Sequence, residues 1–216
     1  MQNATRQSKE ERCISTLRKG ALPSPRRIAD IQHHLLEWFI KSGRHYPWRR
    51  PSASKYQRII AELLLQRTKA DVVAQMYPEF VATYPSWNSL SLASERELEE
   101  QLRPLGLWKR RSVSIKALAV VLTRLRGRYP KDRASLEELP GIGQYVCNAI
   151  LMFDQGLCAP LLDVNMARVL ERLFGPRKLV DIRYDPFLQN LAWKMVRKRP
   201  GLAVWTCALA CPTISL

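Results

Sequence analysis

From residue 28 onward, apolar positions recur with the period of an α-helix. Ile28, Ile31, Leu35, Trp38 and Phe39 share one face and mark an amphipathic helix that ends near Gly43. After a proline-rich loop around Tyr46 to Pro51, Ile59, Ile60, Leu63 and Leu64 predict a second helix over about 56–69. Further helical runs are expected at 71–84, 95–105, 111–125, 135–139, 145–153, 165–174 and 186–196. Short punctuated loops separate them. No segment alternates convincingly with the period of a strand, and apolar runs such as 117–122 have helical flanks. The pattern predicts an all-α protein without internal repeats or low-complexity segments.

The first 27 residues depart from this pattern. They are rich in basic residues, carry Pro23 and Pro25, and read as a flexible basic tail. The segment lacks the apolar core of a secretory signal, and no stretch approaches the roughly 20 apolar residues needed to cross a bilayer. An intracellular protein without a membrane partner is expected, in the nucleoid region of the cytoplasm or in a nucleus.

Charge narrows the partner. The 216 residues hold 35 Lys and Arg against 19 Asp and Glu, a formal net charge of +16. Such a surface repels itself unless it meets a polyanion, and nucleic acid is the commonest one. Five cysteines (Cys13, Cys147, Cys158, Cys207, Cys211) form an odd, scattered set. They argue against a disulfide framework and fit a reducing compartment. His33, His34 and His45 have no partners at metal-ligand spacing, so no metal site is expected from them.

Two local motifs carry chemistry. In Leu139-Pro140-Gly141-Ile142-Gly143, Pro140 closes one helix, while the glycines allow turn conformations closed to residues with a Cβ. The next helix begins at once, so its first N–H groups point outward. Gly141, Ile142 and Gly143 therefore make a nest for a DNA phosphate that ignores base identity. A plain turn between helices is the simpler alternative. Further on, Asp163 follows an apolar run and directly precedes a helix, where an acid caps well and can also be held in place for catalysis.

Five segments in order, PWR (Pro47–Arg49), AELLLQRT (61–68), LGL (105–107), LPGIGQY (139–145) and LLDVNMARVLERLF (161–174), resemble the endonuclease III and mismatch adenine glycosylase group of the helix-hairpin-helix superfamily. Within that group the chain is most similar to the thymine-DNA mismatch glycosylases. The resemblance spans about residues 28–175 and implies a six-helix barrel over 54–163, with the hairpin at 139–143. A second helical domain is implied from 28–53 and 164–216, with the active-site cleft between the two.

The resemblance also implies roles. Asp163 matches the catalytic aspartate, and Glu62 matches an acid that reaches the flipped base. Tyr145 stands where lyase-competent members place a lysine. Gln66 and Arg67 match residues that fill the space the base leaves, and Leu107 matches a wedge into the opposite strand. On the residues alone, Glu62 could equally be a solvated acid, Tyr145 an aromatic packed behind the hairpin, and Arg67 one more surface cation.

The implied activity is hydrolysis of the N-glycosidic bond of a mismatched base in double-stranded DNA, as part of base excision repair. Thymine or uracil opposite guanine is favoured over adenine. A phenol at position 145 cannot form the Schiff base that nicks the strand, so a monofunctional enzyme is expected. The working unit is expected to be a monomer. An adenine glycosylase and a non-catalytic DNA-binding hairpin protein are the alternatives. Many members also hold a [4Fe-4S] cluster on four cysteines spaced C-x6-C-x2-C-x5-C. Only Cys211 matches that set, so no cofactor is expected from this chain.

Overall fold

The computed structural model describes residues 22–197. The basic segment up to residue 21, with Cys13, and the C-terminal segment with Cys207 and Cys211 lie outside the described residues. Within them the regular structure is helical, and no strand occurs. The described residues divide into two compact units, one built from 44–159 and the other from the flanking segments 22–43 and 160–197. Asp163 thus belongs with the flanking segments.

The flanking unit contains three described helices: α1 (Pro25–Ser42), α9 (Val164–Phe174) and α10 (Pro186–Val196). Each starts where a short polar side chain caps its free amides. Ser24 accepts from the Arg27 amide, Asp163 from that of Met166, and Asp185 from that of Leu188. Residues 25–27, expected in the tail, form the first turn of α1, because Ser24 supplies a cap and Pro25 a preset φ. Ile28 of α1, Met166, Leu170 and Phe174 of α9, and Leu188, Leu191 and Met195 of α10 fill one apolar core. The Gln32 amide is buried in it and donates to the Met195 carbonyl at 2.7 Å.

Asp185 is fully buried and accepts from three backbone amides, those of Lys178, Leu179 and Leu188, at 2.6–2.7 Å. Burial alone would raise its pKa. The converging amides outweigh it and hold the carboxyl below the ordinary range. This carboxylate fixes both the preceding loop and the entry into α10.

The 44–159 unit contains α2 (Lys55–Leu65), α3 (Ala70–Thr83), α4 (Trp87–Leu92), α5 (Glu95–Leu102), α6 (Trp108–Arg124), α7 (Arg133–Glu137) and α8 (Gln144–Phe153). Helix α4 is one more than the sequence pattern suggests. Reciprocal capping boxes open α2 at Ser54 and Gln57, α4 at Ser86 and Ser89, and α5 at Ser94 and Glu97. Helix α2 packs against α3 and α8, while α6 packs against α4 and α5. Helix α2 is buried along nearly its whole second half, from Ile59 to Leu64.

Candidate active site

Glu62 lies in that buried stretch of α2 and is 4% exposed. It is no solvated acid. Because α2 packs on α8, Glu62 faces the first turn of α8, and the half-buried Tyr145 donates its hydroxyl to Glu62 Oε2 at 2.9 Å. Tyr145 therefore engages a buried carboxylate and does more than fill space behind the hairpin. A buried acid held by a phenol O–H can accept a hydrogen bond in its ionised form or donate its own proton to a base edge.

Asp163 is the N-cap of α9. Its Oδ1 accepts from the Met166 amide at 2.7 Å, and its Oδ2 from the Asn165 side-chain amide at 3.2 Å. Burial pushes its pKa up, against the lowering effect of these hydrogen bonds. The cap fixes the carboxylate, and desolvation leaves its negative charge poorly shielded. The side chain that caps α9 is thus also partly desolvated.

The segments matched to duplex opening are exposed loops. Gln66 and Arg67 follow the end of α2 and are exposed, with Arg67 in the left-handed region at φ 59°. Leu107 precedes α6, is 57% exposed and is also left-handed, at φ 50°. Strain of this kind in non-glycine residues concentrates at functional sites.

In the hairpin, α7 leads through the turn to α8. Gly141 has φ +74° and needs to be glycine: a Cβ there would be strained and would run into Ser114 Oγ on α6. Gly143 is different. It is the N-cap of α8 at φ −97°, ψ 179°, which any residue can adopt, and no side chain caps the helix from that position. The Ile142 side chain is 5% exposed and anchors the turn from within, whereas both glycines are exposed. Any phosphate contact at Ile142 would come from its backbone.

A model of the HhH-GPD superfamily of base excision DNA repair proteins matches residues 60–184, more than half of the chain. The chain belongs to this superfamily. Relatives at full-domain scale agree. A thymine-DNA glycosylase of Aeropyrum pernix is 35% identical over 180 residues, covering 82% of this chain and 80% of the relative. A thymine/uracil-DNA glycosylase of Pyrobaculum aerophilum is 36% identical over 172 residues, covering 78% and 74%. The solved structure of a thermostable thymine-DNA glycosylase superimposes with a TM-score of 0.74 at 26% identity, over 86% of each chain. The family and the all-α fold expected from the sequence are those observed, and the protein is a DNA glycosylase of base excision repair.

Among the described residues, Arg111 of this HhH-GPD chain is a buried charge that the sequence pattern passed over. Arg111 reads as part of the basic run Lys109-Arg110-Arg111, yet it is only 9% exposed. The signal was present in the period: Arg111, Ser112, Ile115, Leu118, Ala119 and Leu122 are the buried face of α6. As for a cofactor, Cys147 is buried and Cys158 partly so, both with free thiols. The described residues contain no group of three or more His, Cys, Asp or Glu able to hold a metal ion. No four cysteines in the sequence have the spacing of the cluster-binding members. No described helix is long and apolar enough to cross a membrane.

The two hairpin glycines should separate in experiment. Gly141→Ala is expected to lower stability by about 1–3 kcal/mol, through the forced left-handed φ and the Ser114 clash. Gly143→Ala meets open space and should leave the melting temperature unchanged. If the hairpin holds a phosphate as the motif implies, the substitution should weaken matched and mismatched duplexes alike, since a Cβ would stand in the path to the α8 amides. Thermal melts and duplex titrations on both variants check this. A Gly143→Ala protein that keeps its affinity but loses discrimination would show instead that the loop reads bases.

Proposed function

We propose that the protein removes thymine or uracil mispaired with guanine by hydrolysing the N-glycosidic bond, and leaves the strand uncut. The carrying observation is the Tyr145–Glu62 pair: a phenol, not an amine, stands at the lyase position and is tied to a buried acid. The names of its relatives support the pyrimidine preference.

Breaking the bond between C1′ and the base sends the electron pair to the base and leaves positive charge on the sugar. Asp163, partly desolvated and fixed by its cap, supplies the negative charge that stabilises that sugar cation. It also takes the proton from the water that attacks C1′. Glu62 bonds the edge of the base and assists its departure. The target nucleotide must first leave the stack, which is least unfavourable at a mispair. Gln66, Arg67 and Leu107 take up space in the opened duplex, and the hairpin amides of Gly141 to Gly143 hold a phosphate. In this reading the protein acts as a monomer on double-stranded DNA.

The test is base release from duplexes carrying G·T, G·U, or adenine opposite 8-oxoguanine, followed by hot alkali. Breaks should appear on G·T and G·U, only after alkali, with no borohydride-trapped protein–DNA complex. Tyr145→Lys restores an amine nucleophile and should yield a trapped complex and alkali-independent nicks. Trapping by the wild-type protein would overturn the monofunctional reading. Release confined to adenine would replace the substrate.

A further inference from the structure

The two exposed loops are joined beneath the surface by one side chain. Arg111 Nη1 donates to the carbonyls of Leu63 (3.0 Å) and Leu64 (3.4 Å), which end α2 without helical partners. Its Nη2 donates to the Gln66 carbonyl and to Thr68 Oγ1 at 2.8 Å. Its Nε donates to the Gly106 carbonyl at 3.1 Å. Thr68 Oγ1 in turn donates to the Leu105 carbonyl at 3.2 Å. Among the described residues no carboxylate lies in ion-pair range of this buried guanidinium, so neutral oxygens and the negative end of α2 balance its charge.

The placement of these bonds is specific. The Gln66 carbonyl belongs to the peptide unit that enters Arg67, and the Gly106 carbonyl to the one that enters Leu107. These are two of the three described non-glycine residues with positive φ. The planar fork of one arginine therefore fixes the peptide on the near side of each strained residue. A lysine ammonium is a single point and cannot span both loops.

We propose that Arg111 is a positioning residue that locks the 66–68 loop and the 105–107 loop into one rigid probe, so that Arg67 and Leu107 enter a duplex in concert. Arg111 itself touches no DNA. It acts at the opening of the mispair and not at the bond that breaks. The inference rests on the mispair-opening step of the glycosylase reading, which those loops would carry, and not on the step that breaks the bond.

Two substrates separate opening from chemistry: a G·T duplex, and the same thymine in an unpaired bubble. 2-Aminopurine beside the thymine reports unstacking without any bond being cut. Arg111→Lys should lose most of the fluorescence rise on the duplex. Its single-turnover base release should fall ~100-fold there, a size typical of slight misplacement, yet stay within about threefold of wild type on the bubble. Should Arg111→Lys melt far below wild type, Thr68→Val removes only the shared hydroxyl and should show the same pattern in smaller size. Equal losses on duplex and bubble, or an unchanged fluorescence rise, would overturn the proposal. A wild-type protein that opens the mispair but releases no base would remove the catalytic reading and leave this one standing.

Discussion

Asp163→Asn is expected to slow single-turnover base release on the order of 10³-fold or more, while mismatch binding persists. The amide keeps the shape of the carboxylate, and its oxygen can still cap α9 through the Met166 amide. Asn165, which donates to Oδ2 in the wild type, can turn its own carbonyl toward the new NH₂ group. What disappears is the negative charge that the proposed mechanism sets beside the sugar. The same substitution should raise the melting temperature at neutral pH. Burial places the folded-state pKa of Asp163 above its unfolded value. The folded state thus binds more protons, and stability falls as pH rises from the ordinary carboxylate range through the raised pKa. At neutral pH the wild type carries that penalty and the amide does not. In acid, where the carboxyl is protonated, the two proteins should converge. A variant with near-wild-type release, or one less stable at neutral pH and more stable in acid, would contradict this account.

How far the chain could be read without coordinates depended on the range of the forces involved. Helix α10 is found at the expected 186–196, since Asp185 and Pro186 mark its start within the segment itself. The end of α2 could not be found that way. Periodicity carries it to about residue 69, but it stops at Leu65, because Arg111, far along the chain, takes its last carbonyls and Arg67 turns left-handed. Helix α4 has six residues, too few for a period to register, and its cap is a serine pair in place of the Ser/Thr–Glu/Gln pattern. Glu62 was ambiguous for a related reason. Periodicity separates polar from apolar faces only where one face is wet, and α2 is buried from Ile59 through Leu64. The hairpin was legible as a motif; of the turn conformations open to its two glycines, Gly141 takes a left-handed one at φ +74°, while Gly143 keeps ordinary extended backbone. Asp163 was readable as a cap because that role follows from its place before α9.

The remaining large effect is expected at Glu62. Glu62→Gln should slow base release by ~10²–10³-fold, the range over which a positioned acid or base contributes. The glutamine carbonyl can accept the Tyr145 hydroxyl as the carboxylate does, so the contact between α2 and α8 survives. The site loses its titratable proton. Glutamine also avoids placing a charge in a position only 4% exposed, so its melting temperature should equal or exceed that of the wild type. A second variant gives the sharper readout. Tyr145→Phe, which removes the hydrogen bond but keeps the acid, should lose less of the rate than Glu62→Gln. If Glu62→Gln instead melted lower while keeping its rate, Glu62 would be a packing residue of α2, and departure of the base would have to be assisted by another group.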